Sequence, residues 1–469
     1  MTPSTPLARI FKAYDVRGVV PDELDERAAF AIGAGFARFA ARSEGARRLL
    51  VGRDMRVSGP ALAAAFIEGA RGAGSDVVDL GLASTDLVYF ASGHLDAPAA
   101  MLTASHNPSA YNGMKFCLAG ARPVGEESGL AEIRRLAEEV LAEPGTARVG
   151  AAGSLVACDL LDEFAAHVRS FVDASRLAPL SIVADTANGM GGLVAPRVFS
   201  GLPFRLEVLY GELDGTFPHH PADPIQPENL RDLTARLEEV GADVGLAFDG
   251  DADRVFLVDD LGRALSGSTT TAIVAEAMLE KHPGATILYN CICSKAVPEV
   301  IAEHGGIGVR TRVGHSFIKA VMAETGAVFG GEHSGHYYFR DNYRADSGII
   351  AALVVLEVLS RAGVPLSELR RPFERYAASG EINRRVPDPG RVIEALAARF
   401  GALGASIDRL DGLTADFGGW WFNLRASNTE PLLRLNVEAA DEAAVAAHVE
   451  EVLGAIDELG VPAHGREGG

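Results

Sequence analysis

The stretch Asp243–Arg254 reads DVGLAFDGDADR. A short apolar run of strand character, Asp243–Phe248, passes straight into three carboxylates, Asp249, Asp251 and Asp253, with Arg254 directly behind them. An apolar strand that empties into a charged loop is the pattern at the carboxyl edge of an open parallel sheet, where such folds bind ligands. Unpaired carboxylates this close repel one another, so the loop needs a cation. Oxygen ligands without His or Cys favour magnesium or another hard divalent ion. An EF-hand is excluded, because its sixth position requires Gly where Arg254 stands and strand-like sequence flanks both sides. A solvated acidic loop is the plain alternative, and the apolar strand in front of it speaks against that.

Further out, other strands also end in loops of unusual composition. Ala99–Thr103 leads into Thr103-Ala-Ser-His-Asn-Pro108, and Ala327–Phe329 leads into Gly331-Glu-His-Ser-Gly-His336. The first holds Ser105 beside His106 but lacks the Gly-x-Ser-x-Gly elbow of a serine hydrolase. A hydroxyl facing a metal triplet suggests phosphoryl transfer through serine. A haloacid-dehalogenase-like mechanism, with Asp249 as nucleophile, stays open at this point, although Asp253 stands where that pattern carries Thr or Val. The second loop offers Glu332 and Ser334, suited to sugar hydroxyls; His333 and His336 lack helical spacing for a metal pair. Arg310-Thr-Arg-Val-Gly-His315 adds cations and an imidazole at a strand end. Arg425-Ala-Ser-Asn-Thr-Glu-Pro431 follows the strand Trp420–Leu424 and reads as an anion cradle of Arg fork, hydroxyls and backbone N–H groups. Near the start, Lys12, Tyr14 and Arg17 form another polar group.

Between these loops, apolar runs alternate with helical stretches, which predicts an α/β fold. Strands are expected at Leu49–Val51, Val77–Leu80, Ser181–Asp185, Arg205–Leu209, Ala285–Tyr289 and Gly308–Thr311. Helices are expected at Arg27–Ala41, Gly59–Gly74, Thr271–Glu280 and Ala296–His304. Glu143–Gly153, rich in Gly, Pro and Ala, reads as a linker or a domain edge. After Gly380 the pattern changes to antiparallel hairpins, Gly412–Phe417, Trp420–Leu424 and Leu432–Glu438, then a helix from Asp441 to Leu459. The expected architecture is three related α/β domains with mixed or parallel sheets, at 1–148, 149–257 and 258–370, plus a C-terminal α+β domain at 371–469. All four surround one central cleft.

At 469 residues the chain is long enough for several cores. Lys and Arg number 43 against 63 Asp and Glu, a net charge of −20, which excludes a general nucleic-acid or anionic-membrane binder. Four cysteines without a CxxC pair do not make a disulfide scaffold. Cys291 and Cys293 lie in an apolar, strand-like run and read as core residues. The N-terminus lacks a secretory pattern, and the apolar stretch Gly348–Leu356 is too short to span a bilayer, so a cytoplasmic location without membrane partners is expected.

Together these loops, in order and spacing, resemble the α-D-phosphohexomutase family over nearly the whole chain, most closely its bacterial, actinobacterial-type phosphomannomutase branch. The resemblance is carried above all by Gly330–Asp341 (GGEHSGHYYFRD), Asp346-Ser-Gly348 and Arg425–Val437 (RASNTEPLLRLNV). It implies that Ser105 is a phosphoserine and that Asp249, Asp251 and Asp253 hold magnesium together with a serine phosphate oxygen, with Arg254 beside that phosphate. Glu332 and Ser334 would bind the sugar's 3- and 4-hydroxyls; Arg425, Ser427, Asn428 and Thr429 would grip the non-reacting phosphate. Tyr14, Arg17, Lys115, His315 and His336 would line the cleft, with Lys115 or His315 assisting proton transfer. It further implies hexose phosphates as substrates, a hexose 1,6-bisphosphate as intermediate and activator, and a monomer or homodimer. There are departures. Ala252 stands where many members have Gly, Ile292 where many have a basic substrate contact that Lys295 is expected to replace, and His333 is an unusual residue in its place.

Overall fold

The computed structural model describes residues 7–148, 150–426 and 432–460, the side chains of Glu127 and His315 excepted. Four sheets form among these residues. In the first, Arg48–Arg53, Asp76–Leu82 and Ala99–Leu102 run parallel, and Tyr111–Leu118 returns antiparallel beside Ala99–Leu102. In the second, Ser181–Asp185, Arg205–Leu209 and Val244–Phe248 are parallel and Val255–Val258 returns antiparallel. In the third, Thr286–Asn290, Ile307–Thr311 and Phe329–Gly331 are parallel and Tyr337–Phe339 returns antiparallel. One arrangement thus occurs three times: a parallel strand ends in a loop, and the chain comes back as the next strand of a hairpin.

The sequence accounts for this. Val244–Phe248 is buried along its whole length, so it reads as an unbroken apolar run, as strands covered on both faces do. A single apolar cluster extends through the first three units, from Phe90 through Phe164 and Leu246 to Ile273 and Leu353. The apolar stretch that begins at Gly348 forms the helix Gly348–Ala362, buried in this cluster. No single helix among the described residues is long and apolar enough to cross a membrane.

The fourth sheet is antiparallel around Trp421–Ala426 and Leu432–Ala439. Its strands alternate. Leu413, Ala415, Phe422, Leu424, Leu433 and Leu435 pack with Leu396 and Phe400 of the helix Pro389–Ala402 and with Val452 and Ile456 of the helix Glu442–Gly460. The opposite row, Trp421, Asn423, Arg425, Arg434, Asn436 and Glu438, is directed toward the rest of the chain. There Glu438 accepts from the Trp421 indole at 2.7 Å and from the backbone N–H of Lys295 at 2.9 Å.

Two expectations are corrected. Glu143–Gly153 leads into a strand, Leu155–Ala157, that adds in parallel to Asp76–Leu82 and carries the first sheet past residue 148. All three of its residues are exposed, so this edge strand has no buried face to mark it in the sequence. Cys291 and Cys293 are buried, but they occupy the turn after the strand Thr286–Asn290 rather than the strand itself.

Candidate active site

Ser105 and the acidic loop, 144 positions apart in sequence, meet in space. The Ser105 hydroxyl donates to Asp249 Oδ2 at 2.7 Å. The approach is close enough that a Cβ at position 250 would lie 2.4 Å from the Ser105 carbonyl oxygen, so Gly250 is required there. Ser105 itself has φ 51°, in the left-handed region. What holds it is Arg56, a fully buried residue that sequence reading passed over. Its guanidinium uses all five N–H groups: Nε donates to Asp54 at 3.2 Å, Nη1 to the carbonyls of Pro108 and Tyr111, and Nη2 to those of Ser105 and Asn107. Arg17 adds a bond to the Ala104 carbonyl at 2.7 Å and another to Asn107. His106 Nδ1 lies 3.3 Å from the Ser105 hydroxyl; the Arg254 guanidinium, loss of water and Arg17 hold that imidazole well below its ordinary pKa.

Asp249, Asp251 and Asp253 are all buried, and one oxygen of each lies within 4.8 Å of the others. Lys115 donates to Asp251 at 2.8 Å and to Asp253 at 2.6 Å; Thr85 donates to Asp251 at 2.5 Å. Arg254 Nε donates to Asp249 at 3.0 Å. Burial pushes the Asp249 carboxyl up to about 8, against the pull of Arg254. Burial raises the Asp251 carboxyl, but Lys115, the Thr85 hydroxyl and Arg17 together hold it low. Among the described residues, Oδ1 of Asp251 and Oδ1 of Asp253 are buried without a hydrogen-bond partner. Two orphaned hard oxygens beside a third carboxylate fit a divalent cation such as magnesium. A second group, Asp253, His336 and Asp346, is equally close-set, but the Lys319 ammonium sits 2.9 Å from Asp346 and supplies a positive charge there.

The third loop joins them. His336 Nε2 is 3.8 Å from Asp253, and Ser334 Oγ is 3.0 Å from His336 Nδ1. Glu332, buried, accepts from Asn290, from the Gly314 backbone and from Tyr338. Tyr14 packs edge-on to Phe317 and its hydroxyl approaches Gly314. Burial first, then Asp411, raise the Tyr14 pKa, and Arg425 is near enough to lower it. Arg425 donates to Glu381 at 3.3 Å, and its Nε is buried without a partner among the described residues.

Four family models match the chain in sequence order: phosphoglucomutase/phosphomannomutase alpha/beta/alpha domain I over residues 8–143, domain II over 161–262, domain III over 266–376 and the C-terminal domain over 381–455. The chain belongs to the phosphoglucomutase/phosphomannomutase family. It is a phosphohexomutase. A protein described as "Phosphohexose mutases" from Xanthomonas campestris pv. campestris is 42% identical over 438 residues, 93% of this chain and 96% of that one. A "Phosphomannomutase" of Salmonella montevideo is 39% identical over 94% of this chain and 98% of its own. The solved structure of a phosphoglucomutase/phosphomannomutase family protein from Burkholderia thailandensis superposes with TM-score 0.86 at 32% identity, covering 96% of this chain and 97% of that one.

Against this phosphohexomutase frame, Ser105, Asp249, Asp251, Asp253, Arg254, Lys115 and His336 are gathered at one centre, with Arg17 on the Ser105 loop. His315 opens the helix His315–Thr325, but its side chain lies outside the described residues, as do Ser427, Asn428 and Thr429. Lys295, expected to replace the basic contact missing at Ile292, has its ammonium engaged by Asp416 at 2.6 Å and by the Gly418 carbonyl at 2.8 Å. Ala252 has φ 61°, in the left-handed region that a glycine would adopt without strain. Arg56 could have been found only by asking what fixes a strained serine loop. Its own stretch, Gly52-Arg-Asp-Met-Arg56, is ordinary as sequence.

Proposed function

We propose that this phosphohexomutase interconverts mannose 6-phosphate and mannose 1-phosphate through phosphorylated Ser105. The observation that carries the reading is the 2.7 Å bond from the Ser105 hydroxyl into the buried acidic cluster. In this scheme phospho-Ser105 gives its phosphoryl group to the free hydroxyl of the bound sugar phosphate. The sugar oxygen–phosphorus bond forms, the Ser105 oxygen–phosphorus bond breaks, and the hydroxyl proton leaves to a group of the cleft. The resulting hexose 1,6-bisphosphate turns end for end, and Ser105 takes the other phosphoryl group.

Asp249, Asp251, Asp253 and a Ser105 phosphate oxygen would hold magnesium, which supplies positive charge opposite the phosphoryl oxygens. Burial works against the Lys115 charge, but Asp251 and Asp253 keep its pKa well above the usual value. Lys115, bonded to Asp251 and Asp253, and His315 at the start of its helix are the two groups assigned to proton transfer. The orphaned Nη2 of Arg254 supports its role beside the serine phosphate. Glu332 and Ser334 are assigned the sugar's 3- and 4-hydroxyls. Arg425, Ser427, Asn428 and Thr429 are assigned the non-reacting phosphate, with Tyr14, Arg17 and His336 lining the cleft. Mannose and glucose differ only at C2, and none of these groups is assigned to C2, so glucose phosphates are substrates as well. The enzyme is placed in the cytoplasm, as a monomer or homodimer.

A coupled assay on mannose, glucose and glucosamine 6-phosphates, with a trace of hexose bisphosphate, tests the reading. Mannose and glucose phosphates are expected to turn over, EDTA to stop the reaction and magnesium to restore it. Inorganic phosphate rising in step with substrate loss identifies a phosphatase and sinks the proposal.

A further inference from the structure

In the proposed function Glu332 meets the sugar's hydroxyls, and the role inferred for its neighbour Tyr338 rests on that function. Glu332 Oε1 already accepts from the Asn290 side-chain amide at 3.2 Å and from the Gly314 backbone N–H at 3.0 Å. Its Oε2 accepts from the Tyr338 hydroxyl at 2.7 Å. An ionised carboxylate has about four acceptor positions. Three are committed to the protein, which leaves one, on Oε2, for a substrate hydroxyl. The second hydroxyl then falls to Ser334, whose Oγ is 3.0 Å from His336 Nδ1 and is free to rotate.

Tyr338 is built to keep its bond. It is fully buried, on the return strand Tyr337–Phe339, and its backbone pairs with Gly330 on one side and bridges Asp346 on the other. Burial, Glu332 and Asp346 all push the phenol's pKa well above its ordinary value, so the proton stays on the tyrosine and the hydroxyl remains a donor. A Phe at this position would fill the same space and leave the carboxylate free to swing.

We propose that Tyr338 is a positioning residue, which through its hydroxyl fixes the rotation of Glu332 so that a single oxygen lone pair faces the substrate. The test is Tyr338→Phe, assayed beside the wild type on a hexose 6-phosphate and on its 3-deoxy and 4-deoxy analogues. In the variant, KM for the parent substrate rises roughly tenfold, the scale of one hydrogen bond to a charged acceptor, and the rise is alike for the 1-phosphate because the same carboxylate serves both orientations. The wild type loses kcat/KM on both analogues. In the variant the penalty shrinks for one analogue, the one lacking the hydroxyl that Glu332 binds, and is unchanged for the other. Hydrolysis of phospho-Ser105 by water stays at the wild-type rate, and the thermal midpoint falls only as far as the loss of one buried hydrogen bond requires; the penalty that shrinks for one analogue alone is what a merely structural role would not produce. Asn290→Ala, which strips a donor from the other oxygen, gives a second test if Tyr338→Phe does not fold, with the same rise in KM expected. An active wild type whose variant matches it within twofold on all three substrates, or whose two analogue penalties shrink equally, overturns this inference alone. A wild type inactive on every hexose phosphate overturns the proposed function and this inference with it.

Discussion

The φ of 51° at Ser105 costs a residue with a Cβ about 1–2 kcal/mol, and the surrounding structure has to supply it. Arg56 does so by binding four carbonyls of the loop 105–111 and the buried Asp54. The serine oxygen is therefore aimed before any substrate arrives. Two outcomes are expected at this scale. Ser105→Ala removes the phosphoryl carrier and abolishes turnover, while circular dichroism and the thermal midpoint stay near wild type; near-normal mutase activity in that variant would remove serine from the mechanism. Arg56→Met keeps the aliphatic volume but strands Asp54 uncompensated in the interior, a loss of about 3–5 kcal/mol. Urea unfolding should show it, together with a fall in the amount of phosphate that Ser105 can accept. A variant as stable and as readily phosphorylated as the wild type would mean that Arg56 does not set the loop.

At the scale of elements, three site loops are hairpin connections, and the fourth lies between two strands that pair antiparallel. Those after Ala99–Leu102, Val244–Phe248 and Phe329–Gly331 turn into antiparallel returns, and residues 427–431 join Trp421–Ala426 to Leu432–Ala439. This is why the site is legible in the sequence. Strands buried on both faces announce themselves as apolar runs, and Ser181–Asp185 coincides with its expected bounds; Arg205–Leu209 does too, although none of its residues is fully buried. The helix Thr85–His94 gave no signal for the same reason: Thr85 through Ser92 are all buried, so no polar face marks a helical period. Yet its first turn ties three units together, with Thr85 on Asp251 and Asp86 accepting from Ser347. Contacts such as these, or the grip of Arg56, come from residues far apart in sequence and have no local trace. The fourth unit is held to the third by Lys295 on Asp416 and by the Val313 N–H on Asp411 at 3.0 Å, on the polar side of its sheet. Lys295→Met should loosen that contact. The Lys295–Asp416 pair is partly exposed and contributes below about 1 kcal/mol, so global stability hardly changes. KM for the sugar phosphate rises by a factor of about 2–5, and hydrogen exchange quickens in residues 413–426. Unchanged exchange there would show that the lysine does not hold the fourth unit in place.

Across the whole molecule, the three α/β units meet a second time, away from the metal loop, around His167. Its ring lies 4.9 Å from Phe90, 5.3 Å from Phe171 and 6.1 Å from Tyr343, and its Nε2 is 3.0 Å from Asn342 Oδ1. Burial lowers its pKa and nearby His94 lowers it further, against the bond to Asn342 and the charge of Asp341. The unfolded chain binds this proton near its ordinary value of about 6.5, whereas the folded chain resists it. Below about pH 6.5 the unfolded state therefore carries more protons, and stability falls with pH until the folded pKa is passed. His333, lowered by burial and by Arg425, acts in the same direction, while His220, raised through Asp185, acts in the opposite one. The raw pH profile mixes these contributions, so the difference between two proteins isolates one of them. His167→Gln keeps a donor for Asn342 and removes the titration. Urea midpoints measured between about pH 5.5 and 7.5 should fall less steeply toward acid in the variant than in the wild type, so that the gap between the two curves changes with pH. Parallel curves over that range would show that the junction of the three units is not weakened by this proton.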